Sequence, residues 1–196
     1  AGCDVLEQQY SFNSICHRQR LRWDVRLSDT PEWHRFRTDA LRLVEDGLEQ
    51  PLRVLMSGVV VSRSGADGQR FHADGNSELL TCFVPLVDVH RRNGPTELRP
   101  GSHAAGDVYA FGRWLDAGDP RVACVAPELR AGEVLLFDYR VSHRGRANRS
   151  DAPRPVMYIV YSVRPGVRDR HNFLAWWPVM RPQHAPAAPP QSGADC

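Results

Sequence analysis

A chain of 196 residues, 42% hydrophobic and 24% charged, can bury one substantial core and is too short for two ordinary domains. Its formal charge of +2 gives no molecule-wide field of the strength a dedicated nucleic-acid binder carries and does not by itself choose a partner; with no basic stripe interleaved with aromatics, a small molecule and not a nucleic acid is expected. All 25 basic residues are Arg, which excludes lysine Schiff-base chemistry and leaves any carboxylate ligand to a guanidinium, whose planar fork pairs with it bidentately.

The first 30 residues carry no clear periodicity. A helix follows: Thr30 caps it, Pro31 fits its first position, Glu32 suits its first turn, and Trp33, Phe36, Ala40, Leu43 and Val44 recur at helical spacing. Its apolar face reads as a cover for the core. From Leu52 the pattern changes to short β-rich runs bounded by Gly, Pro, Asn and Asp: Leu52–Arg63, Glu78–Val89, Val122–Val125, Glu133–Val141 and Pro155–Val163. Several strands behind one or two early helices predict a mainly β chain, a sandwich or jelly roll with a flanking N-terminal helix. Residues 1–181 are expected to form one domain with its core at 52–163. The Pro- and Ala-rich stretch 182–196 cannot pack a core and is expected to be a disordered tail.

Five cysteines, odd in number and free of any CxxC pair, suit neither a disulfide framework nor a zinc site. Cys82 and Cys124 read as small core residues, nothing supports a Cys3–Cys16 bridge, and a reducing intracellular compartment is favoured. No apolar run approaches the length needed to span a bilayer, and no signal peptide is visible.

The chemistry is expected where strand phase places polar groups on apolar faces. His72 and Asp74 are two apart, so on extended backbone both point to one side and can chelate one ion, with Gly75 letting the chain turn away. In Glu133–His143 the alternate residues Leu135, Phe137, Tyr139, Val141 and His143 share a face, which sets the imidazole at the end of an inward row. Arg154 is in phase with Val156, Tyr158, Val160 and Ser162, a mostly apolar face where a guanidinium demands an anion. A His-X-Asp triplet alone is weak evidence, common on surfaces. Together, two histidines and one carboxylate make the donor set of a non-haem Fe(II) site, with three positions left open for a chelating cosubstrate and O2. His103, in a Pro-Gly-Ser-His turn, is expected to be structural and His90 to lie on the surface. The arginines at 140, 144, 146 and 149 are expected to solubilise the surface; an anionic substrate is the other reading.

Four separated segments carry a resemblance: Gly65-Ala66-Asp67-Gly68-Gln69-Arg70-Phe71-His72-Ala73-Asp74-Gly75, Asn93-Gly94-Pro95-Thr96-Glu97-Leu98-Arg99-Pro100-Gly101-Ser102-His103, Gly132 to Asp138, and His143 to Ser150 followed by Arg154. In this order they resemble the phytanoyl-CoA dioxygenase family of Fe(II)- and 2-oxoglutarate-dependent oxygenases. The resemblance implies a double-stranded β-helix, a cupin-like jelly roll. It implies iron on His72, Asp74 and His143, and the distal carboxylate of 2-oxoglutarate on Arg154. It also implies Phe83 lining the cosubstrate pocket and Asn148 beside it as a brace of the loop. The reaction implied consumes O2, with ascorbate as a candidate reductant, releases succinate and CO2, and hydroxylates a C–H bond of a small organic or lipid-like substrate. Related halogenases lack the carboxylate that Asp74 supplies, which favours hydroxylation. The alternative is a non-catalytic jelly-roll module that keeps a metal site.

Overall fold

Thr30 and Pro31 open helix α1 (Pro31–Leu48) as their residue types dictate: the Thr30 hydroxyl accepts the Trp33 N–H at 3.3 Å, and the proline takes the first turn, where its missing N–H costs nothing. The helix runs one turn beyond the periodic apolar residues and stops at Glu49, which turns left-handed at φ 53°. The computed structural model describes residues 21–25, 30–105 and 123–167. Within them seven strands form: β1 (Arg22–Val25), β2 (Arg53–Ser62), β3 (Leu79–Pro85), β4 (Thr96–Leu98), β5 (Leu135–Asp138), β6 (His143–Gly145) and β7 (Arg154–Ser162).

All pairings are antiparallel. The large sheet has the order β1-β2-β7-β3-β5, and the small one pairs β4 with β6. Isolated bridges extend the small sheet on both sides, His72 beside His143 and Val125 beside Leu98. Two antiparallel sheets with few helices give the jelly roll that the strand pattern predicts.

The large sheet is covered on both faces, which is why its central strands read as nearly continuous apolar runs. Ala40 and Val44 of α1 pack on Val59, Cys82, Val84, Met157, Ile159 and Tyr161. The alternate residues of the same strands point the other way. Leu79 and Val160 form one cluster with Tyr139, and Phe83 packs with Leu98, Phe137 and Val141 in another.

The expected strand 133–141 is shorter: it runs only over β5 in the large sheet and ends at Asp138, and residues 139–142 form a tight turn that crosses to β6 of the small sheet. The Asp138 carboxylate accepts the Arg140 backbone N–H at 2.8 Å and the Arg140 guanidinium at 2.7–2.9 Å, and the Val141 N–H returns to the Asp138 carbonyl. The row Leu135 to His143 is therefore split: Tyr139 packs on Leu79 and Val160, whereas Phe137 and Val141 pack on Leu98. Cys82 is buried as expected, but Cys124 is exposed, next to Val125, which pairs with Leu98 of the small sheet. Cys3, Cys16 and the tail 182–196 lie outside the described residues. No helix among the described residues is long and apolar enough to cross a membrane.

Candidate metal centre

The two histidines meet through the main chain. His72 N–H donates to His143 O at 2.9 Å and His143 N–H to His72 O at 2.8 Å, which puts the rings side by side with centroids 4.6 Å apart. Each ring is then oriented by its own strand. His72 Nδ1 lies 2.8 Å from the Arg70 carbonyl and His143 Nδ1 2.9 Å from the Val141 carbonyl. A carbonyl only accepts, so each Nδ1 carries the proton and each Nε2 presents its lone pair.

Asp74 is hung from the crossing turn: its N–H donates to Tyr139 O at 3.2 Å. Its Oδ1 comes within 3.7 Å of His143 Nε2, and its Oδ2 accepts the hydroxyl of buried Thr81 at 3.2 Å. The donor atoms of His72, Asp74 and His143 all lie within 4.8 Å of one another. Burial, together with His143 in the case of His72, lowers both imidazoles from 6.5 to about 4; the Asp74 carboxylate offsets part of this at His72. Neutral imidazoles with tethered Nδ1–H groups beside one carboxylate are what a divalent metal requires of its ligands. The three residues can hold one.

Phe83 and Phe137 wall the centre on the His143 side. Their rings lie 6.1 and 4.9 Å from the imidazole and meet each other edge to face at 5.2 Å.

Arg154 opens β7 and is buried, with a pKa lowered to about 10 by desolvation. Its Nη2 donates to Ser62 Oγ at 2.9 Å, while its buried Nε and Nη1 have no hydrogen-bond partner among the described residues. Two orphaned donors on a buried cation fit a carboxylate that the described residues do not supply there.

Ser62 is the middle of a row that local periodicity does not reveal. Strand register aligns Arg22 with Ser62 and Ser62 with Arg154, so three adjacent strands bring two guanidiniums to one hydroxyl. Arg22, 2% exposed, donates through Nη1 to Ser62 Oγ and through Nη2 to Asp67 O at 2.9 Å. Burial and the facing Arg154 lower its pKa to about 9. Gly145 of β6 closes the row from above: a Cβ there would stand 2.8 Å from Arg22 Nη1, 2.8 Å from Gln69 Oε1 and 3.3 Å from Arg154 Nη2.

Asn148 is fully buried and its polar atoms are spent on the loop. Its amide donates to Ser62 O and Ala152 O at 2.9 and 2.8 Å, and its oxygen accepts from Ser150 N–H and hydroxyl. The Asn93-Gly94-Pro95 segment packs on the same loop, where a Cβ on Gly94 would collide with the carbonyl oxygens of Arg146 and Ala147. Three arginines of the cluster are held by carboxylates: Arg144 and Arg146 both reach Glu97, at 2.6 and 2.9 Å, and Arg140 pairs with Asp138. His90 and His103 are exposed. Thr81, Ser62 and Arg22 are not evident in the sequence; the signal for Thr81 is its phase with Phe83, and for the other two only the pairing of distant strands.

Among solved structures, the chain is similar to the non-heme alpha ketoglutarate dependent carbocyclase SnoK from nogalamycin biosynthesis, with 27% identity, a TM-score of 0.57, and coverage of 72% of this chain and 65% of that one. It is also similar to the epimerase SnoN in complex with Fe3+, alpha ketoglutarate and nogalamycin RO, with 26% identity, a TM-score of 0.57, and coverage of 86% and 68%. A curated relative, Dioxygenase af480 of Aspergillus fumigatus, is 26% identical over 150 residues, 71% of this chain and 46% of the relative. The chain thus spans about half the length of that relative. The phytanoyl-CoA dioxygenase (PhyH) family model matches residues 29–156, from the helix cap through the distal histidine and the buried arginine, and the chain belongs to this family.

Proposed function

We propose that the protein is a 2-oxoglutarate-dependent non-haem iron dioxygenase, with His72, Asp74 and His143 holding Fe(II) and Arg154 receiving the distal carboxylate of 2-oxoglutarate. The observation that carries this is the meeting of two neutral Nε2 atoms and one carboxylate in a buried cluster. The orphaned Nε and Nη1 of Arg154 support the cosubstrate assignment, and the structural relative bound to iron and alpha ketoglutarate agrees with it.

Bound iron would supply the oxidising power, coupling O2 and 2-oxoglutarate, with release of succinate and CO2, to oxidation of a substrate C–H bond. The chain supplies orientation and shielding. The Arg70 and Val141 carbonyls hold the imidazole protons on Nδ1, so the metal-facing nitrogens stay unprotonated. Thr81 occupies one oxygen of Asp74 and turns the other towards the histidines. Phe83 and Phe137 keep water from the His143 side, and Phe83 lines the cosubstrate pocket. Asn148 braces the loop between His143 and Arg154 and holds the Ser62 carbonyl.

For this chain the outcome is hydroxylation of a small organic or lipid-like substrate, since Asp74 fills the position a halide would need. Relatives named as an epimerase and a carbocyclase define the competing outcomes on this fold. Mass spectrometry separates them: hydroxylation adds one oxygen, epimerisation changes no mass, and ring closure removes two hydrogens. The folded protein, given Fe(II), ascorbate and O2, is expected to convert 2-oxoglutarate slowly to succinate and faster when a substrate is present. Arg154→Ala should weaken 2-oxoglutarate binding and keep iron. A folded protein that neither binds nor consumes 2-oxoglutarate overturns the proposal.

A further inference from the structure

The row Arg22–Ser62–Arg154 contains more than the one arginine that a dicarboxylate needs. Ser62 sits at the centre of three paired strands, fully buried, with its hydroxyl oxygen accepting from both guanidiniums. A serine hydroxyl has two acceptor lone pairs and one proton. With both lone pairs taken by N–H donors, the remaining capacity of Ser62 Oγ is to donate. Its proton is thereby left for an acceptor other than either guanidinium, while Nε and Nη1 of Arg154 are left for one as well.

Holding two cationic side chains on one oxygen in a buried place is unfavourable in itself, and Arg22 and Arg154 stand close enough for the charge of one to depress the ionisation of the other. An anion between them reverses that sign. Gly145 lets the arrangement close: its missing side chain is the space into which Arg22 Nη1, Gln69 Oε1 and Arg154 Nη2 converge.

We propose that Arg22 is a positioning residue of the cosubstrate site: by donating to Ser62 Oγ it turns the serine hydroxyl into a donor for the distal carboxylate and adds a second positive charge behind Arg154. The selectivity for a dicarboxylate over a monocarboxylate keto acid then belongs to the row of three and not to Arg154 alone. This rests on the 2-oxoglutarate reading above and goes further by assigning the N-terminal strand β1 to that site.

The test is calorimetric titration of 2-oxoglutarate, and separately of 2-oxobutyrate, into the oxygen-free Fe(II)-loaded protein. Wild type is compared with Arg22→Gln, which keeps an N–H for Ser62 without the charge, and with Ser62→Ala, which removes a single oxygen atom. Both variants should weaken 2-oxoglutarate by roughly tenfold, the scale of one charge-assisted hydrogen bond. Neither should change 2-oxobutyrate or Fe(II) affinity by more than about twofold. A folded variant that binds 2-oxoglutarate like wild type overturns the proposal, and so does parallel loss of both keto acids. If Arg22→Gln does not fold, Ser62→Ala decides alone. Absence of 2-oxoglutarate binding by wild type sinks the functional reading itself, a separate result.

Discussion

His72 and His143 donate their main-chain N–H groups to each other's carbonyl oxygens, at 2.9 and 2.8 Å, so the spacing of the two imidazoles is a property of the backbone. Main-chain pairing sets where the two rings stand.

Removing one donor should therefore empty the centre without unfolding it. Asp74→Ala, His72→Ala and His143→Ala are each expected to lower Fe(II) affinity on the order of 100-fold or more, while circular dichroism stays that of the wild type. Metal analysis after dialysis reads the first quantity. Iron retained at wild-type stoichiometry by any of the three would remove that residue from the site.

Thr81 should matter through Asp74 alone. Thr81→Val keeps shape and burial but deletes the hydroxyl that holds Oδ2, and Fe(II) affinity should fall roughly tenfold. Thr81→Ser should restore it. Equal affinities for the valine variant and the wild type would show that Asp74 orients itself.

The two histidines also set a pH dependence. In the metal-free fold both remain neutral down to about 4, whereas in the unfolded chain they take up protons at the ordinary 6.5. Between these values the unfolded state binds protons that the folded state refuses, so stability is full above 6.5 and falls as the pH is lowered towards 4. Urea midpoints of the metal-free protein across that window should decline with falling pH. Midpoints that stay level would mean that the imidazoles are not buried and neutral.

Asn148 should be a stability residue. Asn148→Ala strips donors from the buried Ser62 carbonyl and from the Ala152 carbonyl, and an acceptor from Ser150, and is expected to cost about 2–4 kcal/mol in denaturant unfolding. Fe(II) should still bind to the folded fraction. A cost below the experimental error would leave the loop without its supposed brace.

Gly145→Ala approaches the cosubstrate site from the small sheet. The new Cβ must displace the ends of Arg22 and Gln69, flexible groups that can yield, so the protein should fold and bind Fe(II) while 2-oxoglutarate weakens roughly tenfold. Unchanged 2-oxoglutarate affinity would show that the guanidiniums tolerate displacement.

What the sequence displayed was whatever strand or helix period controls locally. The two-residue step from His72 to Asp74, the apolar phase around Arg154 and the Thr30-Pro31 helix start are each visible within a few residues, and the structure has them. The alternation from Leu135 to His143 ran unbroken through a turn, because a single Asp138 carboxylate, not a change of hydrophobicity, ends the strand there. Thr81, Ser62 and Arg22 acquire meaning only from their cross-strand and cross-sheet neighbours, and pairing between distant strands leaves no local period to read. Residues 22–25 lacked any pattern, yet as edge strand β1 they bring a guanidinium to Ser62.

The bridge between His72 and His143 also makes the centre a fastening across chain topology. An ion held by His72 and Asp74 on one side and His143 on the other would cross-link two points about 70 residues apart, and in loop-entropy terms a link of that span restricts the unfolded chain by about 4 kcal/mol. Metal occupancy is thus also a record of closure: a chain synthesised only as far as Ser142 lacks the second half of the clasp, and the centre can be completed only after the crossing turn has delivered β6 to the small sheet.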